Sequence, residues 1–192
     1  MKKYLAIACI ALATACQPAP GGFVAEPISF ASRGAIRLNV AEIRVTQNYQ
    51  PAMRAPNVEQ DFPLPPDTAI KQWLAERLSA FGQSGMMEVT INDASVKEVK
   101  LPKTEGVKGL FTDDQEARYD ATIHVTFRLY TGAQGLSDAS GDVIVTRSRS
   151  INEKATVDER RQIYHEMTRE MMTQFNAEAE ARMRQYFSRF IR

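Results

Sequence analysis

Thiols, imidazoles and indoles are scarce in this chain: 192 residues include two cysteines, two histidines and one tryptophan. Both cysteines, Cys9 and Cys16, sit at the N-terminus, so beyond residue 16 there is no thiol for a disulfide, a thiolate metal site or a nucleophile. Charge of one sign is lacking too. Twenty-four Lys and Arg stand against 23 Asp and Glu, which leaves no net field to gather nucleic acid. No apolar run approaches the ~20 residues that a transmembrane helix needs. The glycine patterns of nucleotide sites and the G-x-S-x-G of hydrolases are missing as well. With 44% apolar and 24% charged residues, what remains is an ordinary globular composition.

The first sixteen residues carry the clearest signal. Lys2 and Lys3 precede the apolar stretch Tyr4 to Leu12, and the small residues Ala13, Thr14 and Ala15 follow, which is the layout of an export signal. Leu12-Ala13-Thr14-Ala15-Cys16 resembles the lipobox of bacterial lipoproteins, with Leu12 one place further from the cysteine than is usual there. The resemblance implies cleavage after Ala15 and acylation of Cys16. Two or more acyl chains anchor stably where one does not. The alternative is plain secretion with a free thiol, an exposed and reactive group in an oxidising compartment. Gln17 in place of an aspartate implies, by the same resemblance, sorting to the outer membrane on its periplasmic side. Losing the two lysines takes the formal charge from +1 to −1. Pro18, Pro20, Gly21 and Gly22 then suggest a tether. The expected organisation is a signal peptide over 1–15, a lipidated cysteine and flexible tether over 16–35, and one domain over 36–192.

Within that domain, Ile36, Leu38 and Val40 alternate and then, after a slip of phase at Ala41-Glu42, Ile43 and Val45 continue, which predicts one bulged strand. Five prolines between residues 51 and 66 predict an extended connection. Ile70, Trp73, Leu74, Leu78 and Phe81 share a helical face, so a helix capped by Asp67 and stopped by Gly82 is expected. Met87, Val89 and Ile91 alternate in a second strand, extending past an irregularity through Val96, Val99 and Leu101. Tyr119 to Leu129 is the clearest strand, apolar on one face and polar on the other. Gly132 and Gly135 turn the chain into a fourth strand over 139–149. Thr156 and Glu159 make a capping box that opens a helical pattern reaching Phe190. The expectation is an α+β fold of order β-α-β-β-β-α, an antiparallel or mixed four-stranded sheet with two helices on one face. A helix over 157–191 would be about 52 Å long, so it must overhang, bend or meet a partner, unless its last turn frays or it breaks near Asn176.

Candidate chemistry is thin. His165-Glu166 begins like H-E-x-x-H, but Arg169 holds the place of the second ligand, so no metal is expected. His124 lies on a polar strand face, and Asp113, Asp114 and Glu116 read as a solvated turn. No catalytic residue and no cofactor are expected. Two contact candidates remain. Val107, Leu110 and Phe111 sit among glycines and lysines in a loop that suits a partner or a lipid surface, or that simply folds its own apolar side chains onto the sheet. Arg182, Arg184 and Arg189, with Arg192, give the last helix a basic amphipathic end that suits anionic lipid, or that simply complements the helix dipole.

The cysteine region together with this element order resembles small envelope-assembly lipoproteins: the lipopolysaccharide-assembly lipoproteins and the auxiliary lipoproteins of lipid-handling ABC transporters. That resemblance implies a non-catalytic accessory factor in lipid or lipopolysaccharide transport, with an envelope protein as partner. A periplasmic carrier that itself binds lipid or lipopolysaccharide is the alternative.

Overall fold

The computed structural model describes residues 22–102, 115–132, 136–152 and 154–192, without the side chains of 115 and 116. Its elements are β1 (Ile36–Leu38), β2 (Glu42–Gln47), α1 (Pro66–Arg77), β3 (Leu78–Ala80), β4 (Met86–Asp93), β5 (Val96–Lys100), β6 (Gln115–Tyr130), β7 (Ala139–Asn152) and α2 (Val157–Tyr186).

β6 is the spine of a mixed five-stranded sheet. β7 runs antiparallel along one whole side of it. On the other side β4 pairs with its C-terminal half and β5 with its N-terminal half, so these two strands lie end to end across the irregularity after Ile91. β2 is added parallel to β4 as the outermost strand. Alternation on β6 sorts the faces as the sequence does: Tyr119, Ile123, Val125, Phe127 and Leu129 are buried under the helices, and the intervening side chains form the other face. α1 contributes Ile70, Trp73 and Leu74 to the core, and α2 contributes Tyr164, Met167, Met171, Phe175, Ala179 and Met183. The indole of Trp73 meets the Phe175 ring edge-on, 5.1 Å between centroids. The architecture is the expected α+β class with two helices and a mixed sheet.

Four details depart from expectation. The slip at Ala41-Glu42 is a break between two sheets, because β1 leaves the main sheet and pairs in parallel with β3. α1 ends at Arg77, four residues before Phe81: Leu78 is extended at φ −109°, ψ 135°, and β3 takes its ladder partners from β1. Helical spacing at Leu78 therefore reflects a strand that follows the helix directly. The helix is also opened by Pro65 and Pro66 rather than capped by Asp67, whose carboxylate lies 3.2 Å from Lys71. Gly82 is not a helix stop. A β-carbon there would stand 2.6 Å from the Asn39 carbonyl carbon and 2.7 Å from the Val40 nitrogen, so two backbones cross at that point.

α2 opens on the expected capping box, with the Glu159 amide donating to the Thr156 hydroxyl at 3.2 Å and the Thr156 amide to the Glu159 carboxylate at 2.7 Å. It runs unbroken through Asn176 and, at 30 residues, is ~45 Å long. Beyond it a 3-10 turn at Ser188–Phe190 returns the chain to β1, where Asn39 donates to the Phe190 carbonyl and Arg192 to that of Arg37. The segment expected as tether is packed from its middle onward. Ile28 and Phe30 are buried, the Phe30 amide donates to Glu76 and Gln72 donates to the Ile28 carbonyl. Two apolar side chains and two hydrogen bonds thus hold this stretch against α1.

Candidate functional site

Of the residues singled out in the sequence, Cys16, Val107, Leu110, Phe111, Asp113 and Asp114 lie outside the described residues. The arginines of the last helix are described, and the structure separates them. Arg182 donates through Nε to the backbone carbonyl of Asp142 on β7 at 3.1 Å, and Arg189 donates to the carbonyl of Asp138 at 3.2 Å. These two tie the helix end to the sheet. Arg184, two residues from Arg182 and so turned to another side of the helix, is 3.6 Å from Glu180.

Glu180 joins two helices. Its Oε1 accepts from Arg77 at 2.6 Å and from Asn176 at 3.1 Å, while the Asn176 carbonyl oxygen accepts the Trp73 indole proton at 2.9 Å. Asn176, the expected break point, is thus the buried link between α2 and α1. Arg77 is 4% exposed and its Nε has no hydrogen-bond partner. Arg77, Glu180, Arg184 and Arg192 line a cavity of about 250 Å³, whose other walls are Ala35, Ile36, Met183 and Ile191. Beside it Arg37 and Arg192 both lie over the ring of Phe81, at 5.0 and 5.4 Å.

The helix-free face of the sheet is a polar lattice. Asp142 accepts from the Thr126 hydroxyl at 2.6 Å and stands 3.1 Å from His124 Nε2, and Asn92 donates to Thr126 at 2.8 Å. The Thr126 bond, followed by His124, holds the Asp142 carboxyl below its ordinary value. Arg118 and Ser148 do the same for Asp120. These are side chains satisfying one another within and across strands, and the side-chain partner of His124 among the described residues is Asp142. His165 differs from the solvated residue expected: it is 3% exposed, neither ring nitrogen has a hydrogen-bond partner, and Phe23 covers it at 5.8 Å between centroids. Among the described residues no group of three or more His, Cys, Asp or Glu is placed to hold a metal ion.

Glu59 carried no signal in the sequence. It is 2% exposed and accepts from the Tyr49 hydroxyl, from Asn57 and from the Val96 amide. Burial, then this carboxylate, push the Tyr49 hydroxyl well above its ordinary range. The cluster pins the proline-rich connection along β5, where Val58 donates to the Val96 carbonyl and Glu98 to that of Pro56. A second feature that the sequence did not disclose is a groove of about 570 Å³ between β2 and α1, walled by Ile43, Val45, Leu74, Ala75 and Leu78 with Lys71 and Gln47 at its rim. Val45 is 46% exposed in it. No helix among the described residues is long and apolar enough to cross a membrane.

No family model matches the chain, and no curated protein matches it. Among solved structures, rare lipoprotein B from Shewanella oneidensis is 10% identical with a TM-score of 0.35, covering 73% of this chain and 94% of its own. A minor lipoprotein from Acinetobacter baumannii is 17% identical with a TM-score of 0.33, covering 80% of this chain and 96% of its own. PelC from Paraburkholderia phytofirmans, a dodecamer, is 12% identical with a TM-score of 0.21, covering 71% and 85%. Likenesses at these scores assign neither family nor function.

Proposed function

We propose that this protein is an exported bacterial lipoprotein, acylated at Cys16 and held at the periplasmic side of the outer membrane, where its domain serves as a non-catalytic accessory factor in lipid or lipopolysaccharide transport. One observation carries the reading: the chain's last cysteine stands directly after the basic, apolar and small-residue segments of an export signal. The domain behind it suits a supporting role. One sheet face is filled by two helices, and the other offers a lattice of ion pairs and hydroxyls that an envelope protein can meet. Val107, Leu110 and Phe111, which lie outside the described residues, are proposed as further partner contacts.

The experiment is the mass of the mature N-terminus in membranes of an expressing cell, with wild type and Cys16→Ser side by side. The expected result is a wild-type chain that begins at Cys16, is heavier by its acyl groups and sediments with the outer membrane, and a Cys16→Ser chain that is neither. A soluble, unmodified wild-type chain overturns the anchor. Purification of the anchored protein from those membranes then tests the accessory role, which recovery of no envelope transport component would end.

The groove beside Val45 favours a second reading, a carrier of a single amphiphile, because its walls are aliphatic and its rim polar. Native mass spectrometry separates the two. Lipid co-purifying with wild type and lost in Val45→Arg belongs to the carrier alone.

A further inference from the structure

We infer that the corner between β1, the end of α1 and the end of α2 is a binding site for a tetrahedral oxyanion of the phosphate class. Arg77, Arg184 and Arg192 converge there on one cavity, and the single side-chain carboxylate among its walls is Glu180. Glu180 is already shared, accepting from Arg77 and Asn176 through one oxygen and lying near Arg184 through the other. Arg192 and the adjacent Arg37 both lie over the Phe81 ring, and among the described residues neither is paired with an acidic side chain. Three arginines thus line the cavity against one side-chain carboxylate.

Burial adds the second argument. An Arg77 Nε–H enclosed at 4% exposure without an acceptor is a donor whose desolvation is uncompensated, and buried donors in native proteins are nearly always satisfied. Guanidinium groups present donors in a planar fork that matches phosphate oxygens, and neighbouring forks can divide one tetrahedral anion between them. A cavity of about 250 Å³ has the volume of roughly eight water molecules, enough for such an anion with part of its shell. Its remaining walls, Ala35, Ile36, Met183 and Ile191, are apolar and suit the first carbons of an ester. The inference does not depend on acylation of Cys16 or on the accessory role. It also narrows the basic helix end to Arg184 and Arg192, since Arg182 and Arg189 are taken up by the carbonyls of Asp142 and Asp138.

The test records the arginine Nε–H resonances of the full mature chain while inorganic phosphate is added at constant ionic strength against sodium chloride. Sedimentation with phosphatidylcholine vesicles, with and without a tenth of phosphatidic acid, is measured in parallel. Arg184→Ala and Arg192→Ala serve as variants, both at exposed positions. Saturable shifts of Arg77 Nε–H by phosphate, weakened at least tenfold in each variant, support the site and identify a soluble ligand. Sedimentation that requires phosphatidic acid and is lost in both variants, with no response to free phosphate, supports it and identifies a lipid headgroup. No saturable response in either arm, or a response that both variants leave unchanged, overturns it.

Discussion

Single side chains decide how the two helices are held together. Asn176 is the acceptor for the buried Trp73 indole and a donor to Glu180, so replacing it leaves an N–H without a partner inside the core. Asn176→Leu is expected to destabilise the fold by about 2 kcal/mol in urea unfolding, close to the penalty for an unsatisfied buried donor. Trp73→Phe removes the donor as well and should lose less from the polar side of the contact. A different residue-scale effect belongs to the open face. The Thr126 hydroxyl, then His124, keep the Asp142 carboxyl below its ordinary value of 3.8. A carboxylate with a folded-state pKa lower than its unfolded one stabilises the fold above the unfolded value, and that contribution disappears as pH falls through the folded value. A carbon-detected NMR titration should therefore place the Asp142 midpoint below 3.8, and Thr126→Val should raise it; an unmoved midpoint would show that the threonine does not set it. None of this was legible beforehand. Asn176, Glu59 and Arg77 are polar residues whose burial depends on which distant partners reach them, and spacing along the chain carries no information about that.

At the scale of elements, the sequence spoke clearly wherever a pattern was local. The apolar and polar alternation on β6 and the capping box of α2 both depend on residues a few positions apart, and both are present. Thr156→Ala should lower stability by about 1 kcal/mol, read as a fall in urea midpoint, because it removes the cap of the longest helix. Where neighbours in space are distant in sequence, the pattern misled. Leu78 keeps the helical spacing of Ile70 and Leu74, yet the competing ladder with β1 takes it into a strand. Gly82 looked like a helix stop because glycine stops helices. Its function is a close crossing of β3's exit with the bend at Asn39 and Val40. Gly82→Ala is accordingly expected to behave like overpacking, at a loss of roughly 1–3 kcal/mol in thermal or urea unfolding, whereas a helix-end glycine with ordinary φ would tolerate alanine.

Considered whole, the molecule is closed by its two ends. The C-terminal residues after α2 lie against β1, and the N-terminal residues before β1 lie across α1 and α2, where Ile28 and Phe30 enter the common core. A chain beginning at residue 36 should therefore be less stable than one beginning at residue 22, by roughly 3–6 kcal/mol for two buried large side chains. Equal urea midpoints would mean that the N-terminal segment rests on a finished domain. Two prolines and two glycines give the start of this segment no apolar pattern, and they could not show that Ile28 docks further on, because the surface that receives it is made by a helix some forty residues away.

That docking also sets a leash length. Between Cys16 and Gly22 there are six peptide steps, and a fully extended chain covers no more than about 3.6 Å in each, so an acylated N-terminus would keep Gly22 within ~22 Å of the bilayer surface. Gly22 lies beside Asp158, in the first turn of α2. The membrane-proximal pole would then be the start of that helix, with Arg184 some 40 Å along the rod. Standing upright, the domain would carry its arginine corner far out into the periplasmic space; lying flat, it would press the same corner to its own membrane. Inserting ten glycine and serine residues after Gly21 would lengthen the working radius without touching the fold. A function that depends on one posture should weaken with that insertion, while binding at the corner, measured on the free protein, should not change.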